Sequence, residues 1–153
     1  MSTKELKEKN PGVLKLIACK CPRCRQGDMF MTTNPYRLKS FMKMHENCSV
    51  CGEYFDKEPG FYYGSSYVSY ALSIALSAAT FIAWWMIIGL SLQDNRFFYW
   101  IAFNAVFLIA LQPPLMRLSR TIWLAFFVRY DKDWKIHPAR KPEKQNEALK
   151  NAW

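Results

Sequence analysis

The sequence predicts an α-helical membrane hairpin, two transmembrane helices plus an interfacial helix, joined to a small N-terminal zinc-ribbon-like β domain. Three observations predict it. Charge is segregated: the 153-residue chain has a formal net charge of +9, yet no charged residue lies between Glu58 and Asp94, and none between Arg96 and Arg117. A soluble domain spreads charge over its surface, so voids of this length mark a chain that meets two solvents. A short polar turn, Gln93-Asp94-Asn95-Arg96, separates the voids, and helices joined by so few residues run antiparallel. Two C-x-x-C pairs precede the hairpin.

Taken in order, residues 1–18 read as a charged tail or surface helix. They lack the apolar core and small-residue cleavage site of a signal peptide, so the first span is expected to act as an uncleaved anchor. Residues 19–58 form the four-cysteine domain. Short β-capable runs lie at Met29-Phe30-Met31 and Tyr54-Phe55.

The hairpin is expected over 59–116, with spans at about 67–92 and 97–116. Pro59 and Gly60 mark its entry. Tyr62, Tyr63, Tyr67 and Tyr70 form one interfacial aromatic belt, and Phe97, Phe98, Tyr99 and Trp100 form another on the opposite side. Pro113-Pro114 is expected to end or kink the second helix. Residues 117–130 are read as an interfacial helix whose Arg117, Arg120 and Arg129 snorkel to lipid headgroups. Residues 131–153 read as a polar, disordered tail.

Eleven Lys and Arg precede the first span, nine follow the second, and only Arg96 lies in the turn. The positive-inside rule then puts both termini in the cytoplasm of a bacterial inner membrane, with the bilayer as the first partner. Cysteines in that compartment are kept reduced, which favours a metal over disulfides.

Cys21-Pro22-Arg23-Cys24 and Cys48-Ser49-Val50-Cys51 are separated by 23 residues. Each C-x-x-C turn aims two thiolates at one point, and two turns complete a tetrahedron. Cys21, Cys24, Cys48 and Cys51 are therefore the expected ligands of one structural zinc per chain. Gly27 and Gly52 are expected to ease the turns by accepting positive φ. A thioredoxin-like site lacks its βαβ context here, and neither pair is followed by the His of a haem-attachment motif. Cys19 is read as a spare thiol and His45 as a surface residue. Glu53, Asp56 and Glu58 are read as a solvated acidic face.

Ser65, Ser69, Ser73 and Ser77 recur every fourth residue, one face of the first helix. They are read as a helix-packing stripe, against the second span or against another membrane protein. Neither span holds an ionisable residue at mid-membrane depth, which argues against a transport path. The basic flanks fit topology and anionic lipid better than nucleic acid.

The stretches C-P-R-C-R-Q-G-D-M-F, C-S-V-C-G-E-Y-F and E-P-G-F-Y-Y-G-S-S-Y-V-S-Y, followed by a hairpin of spans, resemble the bacterial membrane family catalogued as domain of unknown function 983. The Glu58–Gly64 stretch is similar to that of Bacteroidetes-type members. The likeness covers about residues 15–135. It implies a zinc-ribbon-like head, two spans and no assigned catalysis. Some members lie near cytochrome oxidase assembly genes.

The expected function is non-enzymatic: a scaffold, adaptor or assembly factor for a membrane complex, with respiratory enzymes as a special case. Another membrane protein is the expected partner, with neither nucleic acid nor a small-molecule substrate. The rival reading is a thiol-based redox or metal-handling membrane protein.

Overall fold

The computed structural model describes residues 14–58, 60–89 and 95–139. The tail before Leu14, Pro59, the last residues 90–92 of the first expected span, the Gln93-Asp94 half of the turn and residues 140–153 lie outside them. Helix α1 (Leu14–Ile17) is a single turn. A 3-10 turn, Phe61–Gly64, leads into α2 (Ser65–Ile88), and α3 spans Arg96–Phe127. Both long helices are long and apolar enough to cross a membrane. Their apolar side chains are bare: Ile87 is 82% exposed and Ile109 75%. The core helix of a soluble protein would have covered them.

The hairpin is joined along its length by three kinds of contact. At mid-length Asn104 of α3 donates from Nδ2 to Ser77 Oγ (3.2 Å), and Thr80 Oγ1 lies 3.1 Å from Asn104 Oδ1. Towards the turn, Phe81 meets Trp100 edge-on at 5.0 Å and Trp84 packs on Phe103. At the other end, the Trp123 indole donates to the Phe61 carbonyl (2.8 Å), and Phe127 packs edge-on against both rings. Ser65 is buried, and Ser69, Ser73 and Ser77 are half-buried. Ser73 returns its hydroxyl proton to the Ser69 carbonyl.

Helix α3 is longer than expected. It does not end at Pro113-Pro114 but continues to Phe127. Proline's fixed φ is helical, so the pair removes two backbone bonds without forcing the chain out of the helix. Thirty-two residues at ~1.5 Å each give about 48 Å, well beyond a ~30 Å hydrocarbon core. The excess, Arg117–Phe127, continues α3 without a break and is not a separate helix. It buries Arg117, Thr121 and Leu124 on one face, continued by Val128, and the cysteine domain packs on that face.

The cysteine domain contains no strand among the described residues. It has three isolated antiparallel bridges: Lys20 with Asp28, Phe30 with Met44, and Asn47 with Tyr54. The first and third close the two C-x-x-C turns. The chain between Phe30 and Met44 leaves the ladder to wrap over α3, which is why the expected β runs do not extend. The domain's core, Cys21, Cys24, Met29, Phe30, Cys48 and Phe55, is completed by Leu124 and Val128, with Trp134 packed against it. The expected disordered tail is therefore ordered in turns over its described residues 131–139.

The entry stretch has two glycines with different duties. Gly60 sits at φ +82, in the left-handed region. Gly64 has an ordinary φ (−65), but a Cβ there would meet the Trp123 ring at 2.1 Å. Gly64→Ala is expected to destabilise the detergent-purified protein by about 1–3 kcal/mol, the usual range for overpacking. A double-mutant cycle on thermal unfolding checks the cause: adding Trp123→Leu should recover part of the loss. A purely additive pair would mean the ring is not the obstacle.

Candidate metal centre

The two C-x-x-C turns are built alike. The Cys21 carbonyl accepts from Arg25 N–H (2.8 Å) and the Cys48 carbonyl from Gly52 N–H (2.9 Å). The Cys21 N–H donates to Gly27 O and the Cys48 N–H to Glu53 O, both at 2.8 Å. The residue after the second cysteine is left-handed in each turn, Arg25 at φ 57 and Gly52 at φ 71. Such turns point both side chains inward, and the two turns face each other.

The four sulfurs lie within 4.8 Å of one another. In a tetrahedron of thiolates with bonds of about 2.3 Å, the sulfur–sulfur edge is about 3.8 Å. Cys21 Sγ to Cys51 Sγ and Cys24 Sγ to Cys48 Sγ both measure 3.7 Å. A disulfide would need about 2.05 Å, and all five cysteines are free thiols. The geometry fits one soft divalent cation held by Cys21, Cys24, Cys48 and Cys51, which would cross-link the two turns. Val50 N–H lies 3.5 Å from Cys48 Sγ, a donor placed to support a thiolate. The four thiols share hydrogen bonds among themselves, which hold Cys24 and Cys48 below the ordinary thiol range and Cys21 and Cys51 above it. Four sulfurs this close compete for the same protons, and a cation at their centre would relieve that competition.

Gly27 matters for a different reason than expected. Its φ is not positive. Its missing side chain is the point: a Cβ would lie 2.3 Å from Cys48 Sγ. Cys19 stays outside the cluster at φ 55, half-buried, with its thiol pushed up by burial. His45 is exposed and no part of the cluster.

Charges expected to face water or lipid are partly internal. Arg117 is 5% exposed and does not reach for headgroups. It donates from Nε to Phe41 O (2.7 Å), from Nη1 to Thr32 O (2.8 Å) and from Nη2 to Thr32 Oγ1 (2.8 Å) and Asn34 O (3.1 Å). Its guanidinium also lies over the Phe30 ring. One buried side chain thus gathers the loop between the cysteine turns onto α3, because those carbonyls turn inward and need donors. Arg120 faces the same loop more loosely, and Arg129 is exposed. Tyr62 leaves the expected belt to donate from its hydroxyl to Phe55 O (2.6 Å), whereas Tyr63, Tyr67 and Tyr70 stay exposed.

Glu53 is not on a solvated face. It is 4% exposed and paired with Arg23 (3.1 Å) and Lys57. Arg23, inside the first C-x-x-C, also donates to His137 O (2.8 Å), lies 3.5 Å from Asp131 Oδ2, and accepts Asp131 N–H at its carbonyl. That ties the segment 131–138 to the first cysteine turn. Sequence reasoning missed Arg23, Asp131, Trp134 and Asn104. Only Asn104 had a local signal, an amide in the middle of a span with apolar residues on both sides.

Two helices long and apolar enough to cross a membrane, with a four-thiol, metal-competent head docked on the longer of them, define the class: a helical hairpin with a cysteine head. The chain belongs to the family described as Protein of unknown function (DUF983), which it matches over residues 38–127. The match takes in the second cysteine pair, both long helices and Arg117 with its acceptor Phe41, and begins after the first pair and after Thr32 and Asn34. No curated protein and no solved structure matches the chain.

Two outcomes are expected. Gly27→Ala should abolish stoichiometric metal binding, read by elemental analysis. Gly52→Ala would meet only Ala139 Cβ, at an ordinary 3.8 Å, and should retain the metal at a cost of about 1–2 kcal/mol for the left-handed backbone. Separately, Arg23→Ala should destabilise the head by roughly 3 kcal/mol, because Glu53 is left buried with Lys57 as its remaining cation. Faster labelling of the cysteine thiols by a maleimide would report it, and an unchanged rate would contradict it.

Proposed function

We propose that the chain is a non-enzymatic inner-membrane protein whose zinc-bearing head faces the cytoplasm, with both termini on that side. It acts as a scaffold, adaptor or assembly factor that presents the head to another membrane protein, a respiratory complex being a special case. The observation that carries this reading is the closed character of the thiol site. Four thiols supply four ligands, three of them buried and one half-buried, which leaves no position for substrate or water on the metal. A site of that kind holds shape and performs no reaction.

The other parts agree. The head has a small core and no sheet, so metal binding would provide much of its folding energy. Arg117 and the 131–138 segment fix it to α3, which suits a surface presented at a set height above the bilayer. The basic residues flanking the hairpin support the orientation. The reading includes neither a nucleic-acid partner nor a small-molecule substrate.

Metal content and thiol titration on detergent-extracted protein test the proposal. One zinc per chain is expected, lost in Cys21→Ser and in Cys48→Ser together with thiol protection. Arg117→Gln should keep the four ligands but speed zinc transfer to a chelator, since the loop between the two turns loses its clamp. Absence of zinc with reversible thiol oxidation would overturn the reading in favour of a redox or metal-handling protein. Crosslinking in intact membranes then identifies the partner.

A further inference from the structure

We propose that a cleft between the head and the membrane hairpin binds a phospholipid headgroup carrying both a phosphate and a primary ammonium. The cleft has a volume of about 350 Å3, within the range of small-ligand sites. The head contributes Met42 and Asp56, the helix entry contributes Tyr62 and Ser66, and α3 contributes Met116 and Arg120.

Its height points to lipid. Ser69 and Gln112 line its deep end, meaning the end nearer the turn between α2 and α3. From Ser69 to Ile88, at the turn end of α2, there are twenty residues, or about 30 Å, the thickness of a hydrocarbon core. The deep end therefore lies at the acyl boundary and the Asp56–Arg120 end among the headgroups. The floor is apolar where Phe61 and Met116 face it, as an acyl-glycerol segment requires.

Its chemistry points to a particular headgroup. Arg117 and Arg120 lie on the same helix a turn apart but are used differently. Arg117 spends all three nitrogens on close oxygen acceptors. Arg120 has one long contact to Met42 O (3.4 Å) and one to Met44 Sδ, and its buried Nε has no acceptor among the described residues. A guanidinium with spare donors, stacked over the Tyr62 ring at 5.1 Å and lining a cleft, suits a phosphate.

Asp56 and the serines of the lining favour a positive charge beside the phosphate. Asp56 is exposed on the head side of the cleft. Ser65, Ser66 and Ser119 donate their hydroxyl protons to the carbonyls of Tyr62, Tyr63 and Met116. Their oxygens thus offer lone pairs to the cleft and no protons. One cation facing a carboxylate and several acceptors complements a phosphate followed by an ammonium. A phosphate followed by glycerol would place only neutral hydroxyls beside Asp56 and gain no ion pair there.

The inference rests on reading α2 and α3 as spans, and its test keeps the two apart. The full chain is reconstituted in nanodiscs of phosphatidylcholine doped with equal small fractions of phosphatidylethanolamine and phosphatidylglycerol. After delipidation, retained lipid is counted by mass spectrometry. Bulk lipid recovered whatever its headgroup reports the spans, and headgroup selectivity reports the cleft. The expected result is about one phosphatidylethanolamine retained per chain. Arg120→Gln should lower that retention about tenfold, the loss of one charge-assisted contact. Asp56→Asn should move the preference towards phosphatidylglycerol, and Ser69→Trp should empty the cleft. Metal content identifies any variant whose head has unfolded, and the remaining variants then decide. Equal retention of the two lipids by the wild-type chain, or retention unchanged in the folded variants, would overturn the proposal. So would displacement by millimolar free phosphoethanolamine, which would make the ligand a soluble one.

Discussion

Everything in the head depends on four sulfurs meeting at one point. The segment between Cys19 and Glu58 has no strand, three single bridges and few buried apolar side chains. Its backbone ordering cost, about 1–2 kcal/mol per residue, is not covered by a core that small. Two turns that close on a shared centre change that balance, because a bound cation converts its affinity into folding free energy. The requirement reaches outward from the sulfurs. Gly27 must be bare so that Cys48 can approach. Arg25 and Gly52 must be left-handed so that the second cysteine of each pair turns inward.

The second constraint is that the head does not own its core. Leu124 and Val128 close it from α3, and Trp134 covers it from beyond the helix. Two buried guanidiniums make the attachment specific. Arg117 collects the carbonyls of the loop between the cysteine turns, and Arg23 collects those of His137 and Pro138. The planar fork of arginine suits this task, since it offers several donors in fixed directions and stays charged. In both cases most partners are backbone oxygens of irregular chain, which no ladder supplies with donors.

How much of this the sequence shows depends on the length scale of the signal. The two long helices were legible because a void of charge is a property of twenty or more consecutive residues. The ligand set was legible because C-x-x-C is local. The end of α3 was not, because Pro113-Pro114 looks like a stop and the reason to continue lies in residues far away in sequence that pack on Arg117, Thr121 and Leu124. Arginines beside a span read as headgroup contacts by residue type, and only the inward-turned carbonyls of Thr32 and Phe41 give Arg117 another use. Glu53 likewise reads as surface until Arg23, thirty residues earlier, is placed against it. Tyr62 and Tyr63 are neighbours of identical chemistry, and nothing local says that one enters the head while the other faces out.

The metal centre and the cleft share a wall, and that has a thermodynamic consequence. Phe55 is buried in the thiol core, and its carbonyl accepts the Tyr62 hydroxyl. Tyr62 in turn lines the cleft beneath Arg120. The bridge between Phe30 and Met44 places the latter against Arg120 from the other side. The cleft therefore exists only when the head is folded, and the head folds only when the turns close. A ligand in the cleft and a cation among the thiols both bind the same state and not its unfolded alternative. Each stabilises that state by mass action, so each raises the other's affinity by the same factor. For a chain with this architecture, metal occupancy and the bilayer's headgroup composition become linked variables, with no moving part required beyond folding of the head itself.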